Sequence, residues 1–116
     1  MNNLVLSLEM LQAVATMNPD GFTVNKNTLQ PITKGFSVAV AETQNSFGNV
    51  GAARVTAYAK AHDEINAVGG WYNTENKQYY FDAVIIVDDL ETAKRLGREN
   101  KQIAIFNLNT FEEIRL

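Results

Sequence analysis

His62 is the only histidine of the chain, and it stands beside two carboxylates, Asp63 and Glu64. A histidine paired with a carboxylate can catalyse acid–base or nucleophilic chemistry if it also meets a hydroxyl such as that of Ser46 or Thr43. Spacing along the chain does not bring these groups together. The end of a predicted helix explains His62 equally well, because a cation there interacts favourably with the helix dipole.

Metal and cofactor chemistry finds little support in the sequence. Carboxylates are densest at Asp88, Asp89 and Glu91, and the start of a helix accounts for all three. The chain has no cysteine, which excludes disulfides, thiolate zinc sites and cysteine nucleophiles. Its glycines do not occur in the spacing of a dinucleotide fingerprint or a phosphate-binding loop. We therefore expect no metal and no cofactor.

The loop of residues 42–48, Glu-Thr-Gln-Asn-Ser-Phe-Gly, joins a predicted strand to a predicted helix. Backbone N–H groups at the start of a helix can hold an anion or a peptide carbonyl. The amides and hydroxyls of this loop suit recognition, and they nominate Thr43, Gln44, Asn45 and Ser46 as candidate binding residues. The competing interpretation is that Asn45 or Ser46 caps the helix while Thr43 and Gln44 are solvated.

Four large aromatic side chains are concentrated in one predicted hairpin: Trp71, Tyr72, Tyr79 and Tyr80. Rings of this kind are enriched in protein interfaces. Neighbouring residues of a strand point to opposite faces, so half of these rings cannot share one core. Either the sheet is covered on both faces, or one pair forms a surface for a partner. These four residues complete the candidate binding set.

Hydrophobic periodicity predicts three helices. The first covers residues 1–18, is apolar from Leu4 to Met17, and is expected to be buried on most sides. The second extends from Asn45 or Ser46 to about His62. The third begins at a cap on Asp88. The apolar stripe predicted for the second helix includes Phe47, Val50, Ala53, Val55, Ala57, Tyr58 and Ala61.

A hairpin with an asparagine-led turn is predicted after each helix, at Asn25, Asn73 and Asn107. In the first hairpin a strand at Phe22 pairs with one around Pro31, a residue typical of sheet edges. The segments beginning at Phe36 and Ala83 are predicted to be further strands. The predicted fold is a single α+β domain over residues 1–116, with about three helices packed on a mainly antiparallel sheet made of three helix-then-hairpin units.

Composition limits the functional classes. A chain of 116 residues with 46% hydrophobic content can form one packed core. Its net charge of −3 provides no basic stripe of the kind that nucleic-acid-binding proteins display. The apolar first segment lacks the features of a signal peptide and is too short and too polar to span a membrane. We expect a cytoplasmic protein that does not associate with membranes.

Four segments form a distinctive set: Thr43–Gly48, Val68–Trp71, Tyr80–Asp82 and Gly97–Phe106. Together they resemble uncharacterised small proteins carried by phages and conjugative elements of gut Firmicutes and Bacteroidetes. The similarity spans most of residues 20–116. It implies a genomic setting, that of an accessory protein of a mobile element, and it brings no activity or site residue with it.

The leading hypothesis is a non-enzymatic, protein-binding module that interferes with a host process and uses the aromatic hairpin and the Gln44 loop. One alternative is a small hydrolase or transferase with a pocket at the Glu42–Gly48 loop and with Glu42 and His62 as acid and base. Another is weak nucleic-acid binding through stacked tyrosines and the basic residues Lys94, Arg95, Arg98 and Lys101. A protein partner is expected, nucleic acid is disfavoured, and the apolar first helix leaves self-association open.

Overall fold

Seven strands form one antiparallel sheet, and three helices pack against it. These elements come from a computed structural model that describes residues 6–116. The helices are α1 (Leu8–Met17), α2 (Gly48–Ala61) and α3 (Leu90–Glu99). The strands are β1 (Gly21–Asn25), β2 (Phe36–Ala39), β3 (Ser46–Phe47), β4 (Ala67–Asn73), β5 (Gln78–Val87), β6 (Ala104–Asn107) and β7 (Glu112–Arg115). The predicted α+β fold class is confirmed.

The long strand β5 organises the sheet, whose strand order is β1-β4-β5-β2-β6-β7. One edge of β5 pairs with β4 through a hairpin. Its other edge is shared by two short strands, because β2 pairs with Val84–Val87 and β3 pairs with Tyr80–Phe81. Asp82 and Ala83 therefore lie opposite a gap between β2 and β3.

Helices α1 and α2 cover one part of the sheet. Phe81 and Ala83 of β5 and Val68 of β4 point to the same face, where they join the larger hydrophobic cluster. Leu11 of α1 and Val55 of α2 belong to that cluster, and both are fully buried. This burial of apolar surface holds the two helices against the sheet.

Helix α3 lies on the same face, over the other part of the sheet. Val38 of β2 is paired with Ile85, which alternates with Ala83 along β5 and so points to the same face. Val38 packs against Ala93 of α3 and Ile105 of β6 in a second cluster. No described helix lies on the opposite face of the sheet, which we call the open face.

The first helix is less buried than predicted. Within α1 only Leu11 is buried, and Met17 is 79% exposed. The helix begins after Ser7, whose side chain accepts a hydrogen bond from the Met10 N–H. The predicted start at Leu4 lies outside the described residues. No helix within residues 6–116 has both the length and the apolar character needed to cross a membrane.

The buried face of α2 also differs from the predicted stripe. The exposed members of that stripe include Phe47, Val50, Ala53, Ala57 and Ala61. The buried residues of the helix are Gly51, Ala52, Val55, Thr56 and Ala59. Small apolar residues occur on every side of this helix, so apolar periodicity alone does not distinguish its faces. The prediction was wrong for that reason.

Two of the three predicted hairpins are full two-stranded ladders. β4 and β5 turn at Asn73, and β6 and β7 turn at Asn107; each asparagine side chain accepts a backbone N–H two residues ahead. The first hairpin forms only in short form, as an antiparallel bridge between Val24 and Pro31 behind the turn at Asn25. The other edge of β1 pairs with β4, a contact that the sequence pattern did not predict.

The predicted helix caps lie at other residues. Asp89 rather than Asp88 caps α3, and its carboxylate accepts a hydrogen bond from the Thr92 N–H at 2.8 Å. Helix α2 begins after Phe47 and has no side-chain cap. Asn45 and Ser46 precede it in a turn and in β3, so neither serves as its cap.

Gly51 permits the close approach of α2 to β3, because a Cβ atom there would overlap the carbonyl carbon of Ser46. We expect Gly51→Ala to lower the free energy of unfolding by about 1–3 kcal/mol, the usual effect of overpacking. Helix propensity alone predicts the opposite change, a gain in stability, because it favours alanine over glycine. Urea denaturation measures the change. Val50→Ala is the control, since Val50 is 76% exposed and should alter stability by less than about 0.5 kcal/mol. A stabilised Gly51→Ala protein would contradict the expectation.

Candidate binding site

The gap between β2 and β3 is closed by a 3₁₀ turn, Ala41–Thr43, rather than by a strand. Opposite the gap, the N–H of Ala83 donates to Thr43 Oγ1 at 3.0 Å, and the Ala83 carbonyl accepts from the Val40 N–H at 3.1 Å. Thr43 is fully buried. The backbone of β5 is thus satisfied without a neighbouring strand. The chain can leave the sheet here and return to it at Ser46.

A cleft of about 180 Å³ opens beside this gap. The turn after Thr43 contributes Gln44 and Asn45 to its lining. Trp71, Tyr80 and Asp82 line it from the open face of β4 and β5, and Gln102 lines it from the loop between α3 and β6. Three separate parts of the chain therefore meet at one concave surface, which carries amides, aromatic rings and one carboxyl group.

Three aromatic rings from three strands lie side by side on the open face. Trp71 and Tyr80 are stacked, with ring centroids 4.8 Å apart and planes inclined by 17°. Phe47 meets the other side of this pair edge-on, 5.4 Å from Tyr80. Trp71 is 44% exposed and Phe47 is 43% exposed. We call these three residues the aromatic row.

Asp82 carries the carboxyl group of the cleft. Burial raises its pKa from 3.8 to about 6, and no charge or hydrogen bond from the described residues contributes to this shift. A desolvated carboxyl group without a partner favours its neutral form, which explains the direction. Near pH 7 the group is nevertheless mostly ionised, so the cleft holds a negative charge that the described chain leaves uncompensated.

Of the eight candidate binding residues, the structure brings four to the cleft: Gln44, Asn45, Trp71 and Tyr80. Two others, Thr43 and Ser46, are buried and form the turn itself, since the Ser46 hydroxyl donates to the Thr43 carbonyl at 2.6 Å. The interpretation of Thr43 as solvated was wrong. Its hydroxyl is required inside the fold to accept the Ala83 N–H.

Tyr72 and Tyr79 point to the helix-covered face, opposite the aromatic row, as strand alternation predicts. Tyr79 packs between Phe22 and Phe81, and its hydroxyl donates to the Asn18 carbonyl at 2.7 Å. Tyr72 is 42% exposed at the hairpin end of the sheet. The structure separates both rings from the cleft.

Sequence reasoning missed Asp82, Gln102 and Phe47. An available signal for Asp82 was its place as a lone acidic residue between Phe81 and the apolar run that begins at Ala83. That run was predicted to be a separate strand, whereas β5 is continuous through Asp82. The position of Gln102 at the cleft depends on long-range packing, and its sequence neighbours do not indicate it.

Glu42 and His62, the acid–base pair of the hydrolase hypothesis, do not line the cleft. His62 lies at the end of α2, where its ring stacks on Tyr58 with centroids 3.8 Å apart. The pKa of Tyr58 is raised by burial and, less strongly, by the charges of Glu42 and Glu64 and a hydrogen bond to Glu42. Tyr58 thus contacts both residues of the proposed pair.

Three of the four basic residues proposed for nucleic-acid binding, Lys94, Arg95 and Arg98, belong to α3. That helix lies on the covered face of the sheet, whereas Trp71 and Tyr80 lie on the open face. The fourth, Lys101, follows α3 and precedes the cleft residue Gln102, but it does not line the cleft itself. Two of the basic side chains also form exposed ion pairs, Lys94 with Glu91 and Arg95 with Glu99. In residues 6–116, no three side chains of the metal-binding types are grouped closely enough to hold an ion.

Asp82→Asn should stabilise the protein at about pH 8 by up to about 3 kcal/mol, because the amide removes the unfavourable burial of a charge. The folded-state pKa of about 6 exceeds the ordinary value of 3.8, so the contribution of Asp82 to stability is greatest below pH 3.8 and is lost as pH rises through 6. Near pH 3 Asp82 is protonated in both the folded and the unfolded state, so the gain in stability should vanish. Denaturant titrations of both proteins at the two pH values measure the difference. An equal gain in stability at the two pH values would show that the burial of a charged Asp82 is not its cause.

Thr43→Val should destabilise the fold by about 1–3 kcal/mol, because it leaves the buried N–H of Ala83 without an acceptor. Hydrogen exchange of the Ala83 amide should accelerate more than that of its neighbours. Thr43→Ser keeps the hydroxyl and serves as the matched control, with a smaller loss of stability and a protected Ala83 amide. Unchanged protection in Thr43→Val would show that the threonine hydroxyl does not support the gap.

Comparison of the chain with protein-family models, with curated proteins and with solved structures finds no match. No residue role can therefore be transferred from a relative. The function has to be argued from the cleft, from its charge and from the aromatic row beside it.

Proposed function

We propose that this chain is a protein-binding module whose partner docks on the open face of the sheet. The observation that carries the proposal is the aromatic row beside the cleft. Trp71 and Phe47 keep more than two-fifths of their surface exposed, at 44% and 43%. Tryptophan and tyrosine at interfaces provide large apolar contact areas with little loss of side-chain entropy, and they dominate binding energies there.

The aromatic row is held in place before a partner arrives. The Tyr80 hydroxyl accepts a hydrogen bond from Asn76 Nδ2 at 2.7 Å, and its ring is enclosed by Trp71 and Phe47. The backbones that carry these rings are paired strands. A preformed surface loses little conformational entropy on binding, which favours affinity.

The polar lining of the cleft supports a peptide-like ligand. Gln44, Asn45 and Gln102 offer amide donors and acceptors, which match the N–H and C=O groups of a polypeptide. A few polar groups among apolar walls are typical of sites that fix the orientation of a ligand. Interference with a host process remains an extension of this proposal that rests on the resemblance to mobile-element proteins alone.

The enzymatic and nucleic-acid alternatives receive less support from the site. Glu42 and His62 do not line the cleft, so the cleft itself contains no acid–base pair. A nucleic-acid surface needs cations near its stacking rings, and no lysine or arginine lines the cleft. A binding site for a protein partner requires neither an acid–base pair nor cations beside the rings.

Random peptides displayed on phage provide the test, because the natural partner need not be known. Peptides selected on the wild-type protein should bind with micromolar Kd and lose at least about tenfold in affinity with Trp71→Ala, as expected for a central tryptophan. Calorimetry or fluorescence polarisation with the synthesised peptides measures the loss.

Tyr72→Ala is the matched control for Trp71→Ala. The two residues are neighbours in β4 with similar exposure, 42% and 44%, but they point to opposite faces. Peptides that dock on the open face should bind the Tyr72→Ala protein within about twofold of the wild type. Equal losses for both variants, or no peptide that prefers the wild type to Trp71→Ala, would exclude the open face as the docking surface.

A further inference from the structure

We propose that the cleft receives an arginine side chain of the partner, with the guanidinium group against the Asp82 carboxylate. This inference rests on the proposed protein-binding function and specifies the chemistry of its central contact. The charge of the cleft, the acceptors around Asp82 and the adjacent rings support it.

Charge complementarity indicates a cationic ligand. Asp82 is the only acidic or basic residue among the side chains that line the cleft. The described salt bridges do not involve it. A desolvated carboxylate without a counter-ion is unfavourable, and a cation that enters the cleft offsets that desolvation. An anionic group such as a phosphate would be repelled.

The acceptors around Asp82 suit a guanidinium group. Its two carboxylate oxygens can accept a bidentate pair of hydrogen bonds from arginine. Gln102 Nε2 already donates to the Asn100 carbonyl at 3.2 Å, which leaves the Gln102 side-chain oxygen to accept another donor. Gln44 and Asn45 also line the cleft, and their amide oxygens add further acceptors. Arginine has five N–H donors in a planar arrangement and can use several of these at once.

The rings beside Asp82 favour arginine over lysine. Trp71 and Tyr80 lie next to the carboxylate on the open face, and arginine stacks on aromatic rings while it forms its hydrogen bonds. Lysine presents a compact and strongly hydrated charge that loses more hydration on entry. The cleft, with a volume of about 180 Å³, has room for one planar side-chain head group.

The test uses N-acetyl-L-arginine methylamide as the probe and the fluorescence of Trp71, the only tryptophan of the chain, as the readout. At about pH 8 the arginine compound should produce a saturable change with a millimolar Kd. The citrulline analogue has the same shape without the charge, and it should bind at least about tenfold more weakly, the result of losing one charged hydrogen-bond pair. The lysine analogue should fall between them.

Asp82→Asn should weaken binding of the arginine compound at least about tenfold, and its near-UV circular dichroism should stay native because the substitution is expected to stabilise the fold. Glu42→Gln is the control: Glu42 is an exposed carboxylate outside the cleft, and its loss should leave the Kd within about twofold. Equal binding of arginine and citrulline compounds, undiminished binding by Asp82→Asn, or no saturation would each overturn the inference. Saturable binding of adenosine or glucose, without binding of the arginine compound, would also overturn the inference.

The outcomes separate this inference from the proposed function. Peptides that require Trp71 but bind equally well to the wild type and to Asp82→Asn would refute arginine recognition and leave the docking surface in place. Binding of the arginine compound without any Trp71-dependent peptide would support the cleft as an arginine site and refute the protein-binding role.

Discussion

The N–H and C=O groups of Ala83 that face away from β4 must be hydrogen-bonded even though no strand lies on that side, and much of the structure depends on how this is achieved. Thr43 Oγ1 and the Val40 N–H supply the two missing bonds. Because Thr43 has to lie at that point, the chain turns out of the sheet and rejoins it at Ser46. The start of α2 and the position of Gly51 follow from that return. The cleft lies beside the gap that this turn leaves between β2 and β3.

Local chemistry made the fold class and two hairpins predictable. The turns at Asn73 and Asn107 are specified by their own side chains, and alternation in the flanking strands fixes which residues are covered. Pairing between distant strands was not predictable in this way. The turn at Asn25 forms through local hydrogen bonds and brings Pro31 to one edge of β1, whereas the pairing of the other edge with β4 depends on residues far along the chain.

The site was predictable in part for the same reason. Alternation predicted that Trp71 and Tyr72 point to opposite faces, and likewise Tyr79 and Tyr80, and the polar loop indicated Gln44. The register that puts Trp71 beside Tyr80 came from the structure. Asp82 and Gln102 join them through tertiary packing, which no local pattern encodes. Asp82 is a half-buried, desolvated carboxyl group without a counter-ion among the described residues, at a position where the fold gains no stability from its charge. Groups of that kind concentrate at functional sites, where stability is given up for chemistry.

The strand order has a consequence for synthesis of the chain. β1, β2 and β3 all lie before residue 48, and each pairs only with strands that follow residue 66. When the first half emerges from the ribosome, its strands have no partners in the sheet. Their apolar faces stay unprotected until β4 to β6 are made, and such long-range pairing is slow. We therefore expect residues 21–47 to be open to aggregation and proteolysis until the chain beyond residue 66 has been made.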